Sequence, residues 1–219
     1  RETYQLNFGE LPAGDICSVE AADIPEHDIL CGGFPCQAFS QLGRKLGLSD
    51  KRGKLYLEVA RILRERQPKA FMLENVAHLA GHAGGQTLNT ILEAFRSAGY
   101  HVPHPCVLNA ADFGLPQHRK RLYIVGFLER DSFERFSFPM KGAAPRRTFG
   151  DIRERKVDES YYIKPNRVAN LIAHRIDQFH KNNGFGYKVT LDSDLVRTIR
   201  CGGSGLEENI VYEKTSLVL

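Results

Sequence analysis

The chain has 219 residues, of which 42% are hydrophobic and 26% charged, and its net charge is +4 at pH 7. This composition is typical of a globular protein with one large domain, or one domain and a small appendage, and either could bury a real core. No apolar run approaches the roughly 18 residues of a membrane span, and no signal peptide is visible, so we expect a cytoplasmic protein. The mild positive charge alone does not separate a nucleic-acid binder from other enzymes.

The five cysteines are odd in number, scattered along the chain and free of any CxxC pair. This pattern argues against a disulfide framework and against a zinc site, so we predict no bound metal. The expected compartment is reducing, where thiols stay free and one of them can act as a catalyst. Basic residues concentrate in stretches 44–54 and 141–156. Taken alone, either stretch is typical of a solvated surface.

Short apolar runs alternate with amphipathic stretches in the first half of the chain, as in βαβ units with a parallel sheet. Strands are predicted at residues 27–31, 70–73 and 122–127. Apolar residues at helical spacing predict two helices. One face of the first carries Leu55, Val59, Ile62 and Leu63, and one face of the second carries Leu88, Ile91, Leu92 and Phe95. Gln67-Pro68 should end the first of these helices, and Gly99 should lie just past the end of the second.

After about residue 128 the sequence changes to Pro, Arg and Gly with short, weakly periodic segments. We therefore place a domain boundary there, which gives a first domain at residues 1–127 and a second at residues 128–219.

Two reactive side chains follow predicted strands. Cys36 comes after the first strand through Gly32-Gly33-Phe34-Pro35, and Glu74 comes at the end of the next strand. Ligands bind outside the carboxyl ends of strands in an open parallel sheet, so neighbouring strands would place this thiol and this carboxylate at one pocket. A free cysteine is more often a small buried hydrophobe, but the strand end and the glycine-rich turn favour a functional role for Cys36.

Four segments then follow one another in an order that is specific. They are DILCGGFPCQAFS at 28–40, GLSDKRGKLY at 47–56, ENV at 74–76 and QHRKRLYI at 117–124, and NFGE at 7–10 and GDI at 14–16 also fit. The series resembles the ordered motifs of the C5-cytosine DNA methyltransferases, closely over residues 3–127 and loosely beyond 128. The resemblance implies an α/β fold: a Rossmann-like sheet that uses S-adenosylmethionine, incomplete at its N-terminus, with a smaller irregular target-recognition region.

The resemblance implies four catalytic residues. Carbon 5 of cytosine is too weak a nucleophile to take a methyl group directly, so a thiolate must first add to carbon 6, and Cys36 matches the family's nucleophile. Glu74 matches the acid that holds or protonates ring N3, and we expect it to be buried. Arg119 and Arg121 match arginines that orient the pocket and contact the cytosine O2. Outside this family context, either arginine would be interpreted as a strand-end salt bridge.

The resemblance also implies a cofactor site, with S-adenosylmethionine bound near Asp15, Ile16, Pro35 and Leu55. Residues 37–53 match the mobile loop that closes over a flipped base, so the predicted DNA contacts of the first domain are Gln37, Ser40, Arg52 and Gln117. In the second domain, residues 196–205 resemble a recognition loop that enters the major groove. Its predicted DNA-binding residues are Thr198, Arg200, Gly202 and Gly203, with Thr198 on a phosphate and Arg200 on a base. Gly-Gly-Ser-Gly fits a hairpin turn equally well.

Two family segments are not found in the 219 residues: the Phe-x-Gly-x-Gly-Gly cofactor loop, expected upstream of Arg1, and the closing Gly-Asn motif, expected downstream of Leu219. We expect either a longer natural chain or a partner polypeptide that supplies them. A degenerate member that binds DNA without methylating it is a third hypothesis, which the intact motifs disfavour.

The main hypothesis is a bacterial DNA methyltransferase of restriction-modification type, which acts on a specific site in double-stranded DNA and is associated with the nucleoid. The alternative is a catalytically incomplete DNA-binding fragment or subunit that needs a partner. The transfer-RNA-methylating branch of the family is disfavoured because its Cys-Phe-Thr signature is absent, and a cysteine hydrolase because no motif positions a histidine base.

Overall fold

The computed structural model describes residues 1–34, 55–142, 145–154, 156–182, 186–199 and 209–211. The chain divides into two compact units, residues 1–108 with 120–138, and residues 109–119 with 139–219. These bounds differ from the predicted domains, since segment 109–119 belongs to the second unit and segment 128–138 to the first. The assignment of catalysis to residues 1–127 and of recognition to 128–219 stays a prediction.

A four-stranded sheet organises the first unit. Strand β1 (Ile29–Gly33) lies at one edge and pairs in parallel with β2 (Ala70–Val76), and the chain between them includes helix α2 (Tyr56–Arg66). The two strands are neighbours, which a shared site for Cys36 and Glu74 requires, and their register places Gly33 beside Glu74. Helix α1 (Glu2–Phe8) precedes the sheet and buries none of its side chains.

The sheet is mixed rather than parallel. Helix α3 (Gln86–Ser97) leads from β2 to β3 (Cys106–Asn109), a strand that the sequence analysis missed. The two-residue strand β4 (Gln117–His118) follows, and the chain then enters β5 (Lys120–Phe127), which runs antiparallel to β2. The expected parallel arrangement is therefore wrong at β5, because the chain enters this strand from other strands and not from a crossover helix. The α/β fold class is confirmed.

The core lies between the sheet and helices α2 and α3. Strand β2 buries Phe71 and Leu73 at alternate positions, and the ring of Phe71 packs edge-on against Phe95 of α3 with centroids 5.2 Å apart. Both predicted helices are confirmed, and each ends where the sequence indicates. Gln67 closes α2 in the left-handed conformation before Pro68, and Gly99 follows α3 with a φ of +98°.

Two more helices and three more strands complete the described elements named here. The first unit ends with helix α4 (Arg130–Arg135), and the second unit contains helix α5 (Pro165–His180). In the second unit β4 pairs in parallel with β7 (Val196–Arg197), and β6 (Lys188–Thr190) pairs in parallel with β8 (Asn209–Val211). Within the described ranges, no helix has the length and apolar character that crossing a membrane requires.

Candidate active site

Glu74 and Arg121 form an ion pair near the C-terminal end of β2. Arg121 lies beside Val76 in the antiparallel register, so it is a diagonal neighbour of Glu74 on the same face of the sheet. The Nε of Arg121 donates to the Oε1 of Glu74 at 2.7 Å, and its Nη1 donates to the carbonyl oxygen of Lys120 at 2.8 Å. Two predicted catalytic residues are thus brought together, and two hydrogen bonds hold the orientation of the Arg121 guanidinium.

The expectation that the carboxyl of Glu74 is buried is wrong. The side chain of Glu74 is 42% exposed, whereas that of Arg121 is 19% exposed. Glu74 lies beside the outermost strand, where its neighbour on β1 is Gly33. A Cβ at Gly33 would lie 3.1 Å from the carbonyl oxygen of Glu74 and 3.6 Å from its Oε2. The glycine therefore lets the two strands approach closely beside the carboxylate, since a side chain at this position would crowd the Glu74 carbonyl oxygen.

Asn75 connects β2, the strand of Glu74, to the residue just after β1. The sequence predictions gave Asn75 no role. It is 2% exposed, its Nδ2 donates to the carbonyl oxygen of Phe34 at 3.2 Å, and its Oδ1 accepts from the amide of Val76 at 2.9 Å. Phe34 stands two residues before Cys36. The sequence did carry an indication of this role. Side chains alternate between the two faces of a strand, so Asn75 shares the buried face of β2 with Phe71 and Leu73, and a buried amide needs hydrogen-bond partners.

Asp15, Ile16 and Leu55 are the described residues of the predicted cofactor site. Asp15 precedes the 3₁₀ turn Ile16–Ser18, and its Oδ1 accepts from the amide of Cys17 at 3.0 Å. Ile16 is 37% exposed, and Leu55 is half-buried just before α2. This pair has the chemistry that an adenosyl group needs. The exposed apolar side chain can contact the adenine ring, and the neighbouring carboxylate can accept hydrogen bonds from hydroxyl or amino groups. Partial desolvation raises the pKa of the Cys17 thiol, and the hydrogen bond and charge of Asp15 add to this.

Gln117, Arg119 and Thr198 all lie in the second unit. The Oδ1 of Asn109 accepts from the amide of Arg119 at 3.0 Å, which fixes the backbone of a predicted catalytic residue. The sequence predictions had given Asn109 no role. The hydroxyl of Thr198 donates to the carbonyl oxygen of His118 at 2.7 Å, beside the pairing of Gln117 with Val196. Two predicted DNA contacts that are far apart in sequence therefore lie on paired segments, although Thr198 is engaged with backbone.

The other predicted site residues fall outside the described residues; they are Pro35, Cys36, Gln37, Ser40, Arg52, Arg200, Gly202 and Gly203. Among the residues that the structure describes, no three His, Cys, Asp or Glu side chains are grouped as a metal site would need.

The sheet and its helices form a fold that solved methyltransferase structures share. The fold matches the crystal structure of a Schizosaccharomyces pombe (S. pombe) Dnmt2 methyltransferase with a TM-score of 0.65, over 96% of this chain and 65% of that one. It matches the Entamoeba histolytica methyltransferase EhMeth with a TM-score of 0.61, over 74% and 51% of the two chains. Both are 21% identical in sequence, so this likeness shows a methyltransferase fold.

Sequence comparison then gives the family. The model of the C-5 cytosine-specific DNA methylases matches residues 1–215. The chain is 47% identical over 217 residues to the Type II methyltransferase M.HpaII of Haemophilus parainfluenzae, and the aligned region covers 97% of this chain and 60% of the relative. It is 46% identical over 139 residues to M.HhaI of Haemophilus parahaemolyticus, over 64% and 42% of the two chains. The chain belongs to the C-5 cytosine-specific DNA methylase family, as its motifs predict, and it spans about half the length of the curated relatives it matches.

Proposed function

We propose that this protein transfers a methyl group to carbon 5 of a cytosine in a specific site of double-stranded DNA, as the modification enzyme of a restriction-modification system. One observation carries the proposal: the Glu74–Arg121 ion pair lies at the end of β2, beside the strand that leads to Cys36. The names of its relatives, Type II methyltransferases, support the same activity. We also propose a bacterial cytoplasmic location, at the nucleoid through bound DNA.

The residues have distinct tasks in this proposal. The Cys36 thiolate forms a bond to carbon 6 of the ring, which moves electron density onto carbon 5. Glu74 holds ring N3, and the resulting interaction makes attack at carbon 6 easier. Arg121 fixes the orientation of the Glu74 carboxylate and supplies positive charge next to the ring. After methylation, carbon 5 loses its proton and the bond from sulfur to carbon 6 breaks, which regenerates Cys36.

S-adenosylmethionine, when bound, supplies the methyl group. Asp15, Ile16, Pro35 and Leu55 would hold its adenosyl part. The other implied partner is duplex DNA, from which the target base must be flipped at a general cost of a few kcal/mol. Gln37, Ser40, Arg52 and Gln117 are the proposed contacts in the first predicted domain. Thr198, Arg200, Gly202 and Gly203 are those in the second.

The decisive experiment traps the covalent adduct on duplexes that contain 5-fluorocytosine, with the full-length protein. Because the fluorine on carbon 5 cannot leave as a proton does, the enzyme stays attached through sulfur. Cys36→Ser should abolish both methyl transfer and the adduct while duplex affinity is kept. Cys31→Ser is the matched control, since Cys31 is an exposed thiol on β1, and it should keep both activities. A Cys36→Ser protein that still forms the adduct would refute the assignment.

The same assay separates the alternative functions. A DNA-binding protein without catalysis would bind the duplex and form no adduct, even with S-adenosylmethionine present. A subunit that needs a second polypeptide would form the adduct only after that polypeptide is added. Activity on transfer RNA in place of duplex DNA would assign the protein to the other branch of the family.

A further inference from the structure

A half-buried arginine of α2 holds the turn that carries two of the predicted cofactor residues. The Nη2 of Arg61 donates to the carbonyl oxygens of Val19 at 2.8 Å and of Ile16 at 3.4 Å. Its Nε donates to the Oε2 of Glu58, one helical turn earlier, at 2.9 Å. The side chains of Arg61 and Glu58 are 25% and 27% exposed. The guanidinium therefore spans more than forty residues of sequence and keeps its counter-charge beside it.

We propose that Arg61 is a positioning residue for the adenosyl side of the cofactor site, an inference that rests on the proposed function. The two carbonyl groups it binds belong to the first residue of the 3₁₀ turn Ile16–Ser18 and to Val19, the residue just after it, and Asp15 precedes the turn. Fixing both ends of this turn fixes the direction of the Ile16 side chain and of the Asp15 carboxylate.

Packing alone does not hold this turn. None of its residues is buried, and the first buried side chain after it is Ala21, which is 1% exposed. The internal bonds of the turn run from the amide of Ser18 to Asp15 at 2.9 Å and from the amide of Val19 to Ile16 at 3.3 Å. A single 3₁₀ turn with such bonds is marginal in water, so its geometry depends on an outside partner.

Arginine is suited to this position. Its planar guanidinium presents Nε to Glu58 and Nη2 to the two carbonyls at the same time, whereas a lysine ammonium is a point charge on a flexible stem. Arg61→Lys should therefore restore only part of what Arg61→Ala loses. Arg64, exposed and one turn further along α2, provides the matched control.

Cofactor binding and turn mobility are measured in the full-length protein without DNA, and KM and kcat are measured with duplex DNA as the methyl acceptor. Arg61→Ala should weaken binding of S-adenosylhomocysteine about 10-fold by calorimetry and raise the KM for S-adenosylmethionine by a similar factor. At saturating cofactor, kcat should stay within about twofold, since the turn holds the adenosyl end and not the methyl group. Arg64→Ala should leave every one of these values unchanged.

A second readout needs no ligand. Loss of Arg61 should speed hydrogen exchange at the amides of Ser18 and Val19, because the turn that holds them opens more often. If Arg61→Ala proves unstable, Arg61→Lys carries the same comparison with smaller changes.

Unchanged binding and unchanged exchange in Arg61→Ala would overturn the inference, and so would a loss of kcat with KM unaltered. A protein that binds the cofactor through this turn but does not methylate cytosine would refute the proposed function and leave the role of Arg61 intact. Normal cytosine methylation with no effect of Arg61→Ala would refute the role of Arg61 and leave the proposed function intact.

Discussion

Replacing Asn75 with alanine would remove the amide that connects β2 to the end of β1. Two hydrogen bonds are lost, from Nδ2 to the Phe34 carbonyl at 3.2 Å and from the Val76 amide to Oδ1 at 2.9 Å. Phe34 is 6% exposed, so little water can reach its carbonyl oxygen. We predict a loss of stability together with slower formation of the Cys36 adduct, because Phe34 leads directly into the segment that contains Cys36.

The magnitude follows from which partners are left unsatisfied. A buried carbonyl without its donor costs about 1–3 kcal/mol, and the partly buried bond to the Val76 amide contributes about 0.5–1.5 kcal/mol. We therefore expect Asn75→Ala to lower the free energy of unfolding by about 1.5–4.5 kcal/mol. The aspartate variant should lower it further, because it places a carboxylate oxygen against the Phe34 carbonyl in a buried site.

Urea denaturation measures the stability change, and the rate of adduct formation on 5-fluorocytosine duplexes measures the functional one. Asn89→Ala is the control, since Asn89 is exposed on α3 and its loss should change stability by at most about 0.5 kcal/mol. Asn75→Asp as stable as the unmodified protein would refute the reasoning, because the donor to Phe34 would then be unnecessary.

Two further predictions concern the core beneath the site. Gly126→Ala should destabilise the protein by about 1–3 kcal/mol in urea denaturation, because the new Cβ would clash with the ring of the fully buried Phe71. A cost below about 0.5 kcal/mol would show that this ring can move aside. Burial raises the pKa of Tyr100 to about 12 from its usual 10.0, and its hydroxyl donates to the Pro68 carbonyl at 2.6 Å. Since the folded state holds this proton more tightly, its contribution to stability is complete below pH 10 and is lost as the pH rises toward 12. Tyr100→Phe should flatten the decline of stability over that window, and an unchanged decline would contradict the assignment.

Local patterns in the sequence determined the parts of the fold that depend on interactions between residues close together in the chain. The spacing of Leu88, Ile91, Leu92 and Phe95 predicted α3, because a helical face is set by a period of 3.6 residues. Gly99 marked its end, because the chain there needs a positive φ. The βαβ rhythm predicted that β1 and β2 run parallel, whereas their pairing as neighbours came from the structure. The order of the motifs was specific enough to give the family.

The tertiary structure decided what depends on pairing across the sheet. The direction of β5 is not written in its own apolar residues, which suit either orientation, and only the antiparallel register places Arg121 diagonal to Glu74. The space beside the Glu74 carboxylate is set partly by Gly33 of another strand, where a Cβ would lie 3.6 Å from Oε2. Asn75 and Arg61 show the same limit, because each acts through backbone carbonyls that are more than forty residues away in sequence. Backbone acceptors are identical at every residue, so a sequence cannot show which of them a side chain will bind until the fold brings the two together.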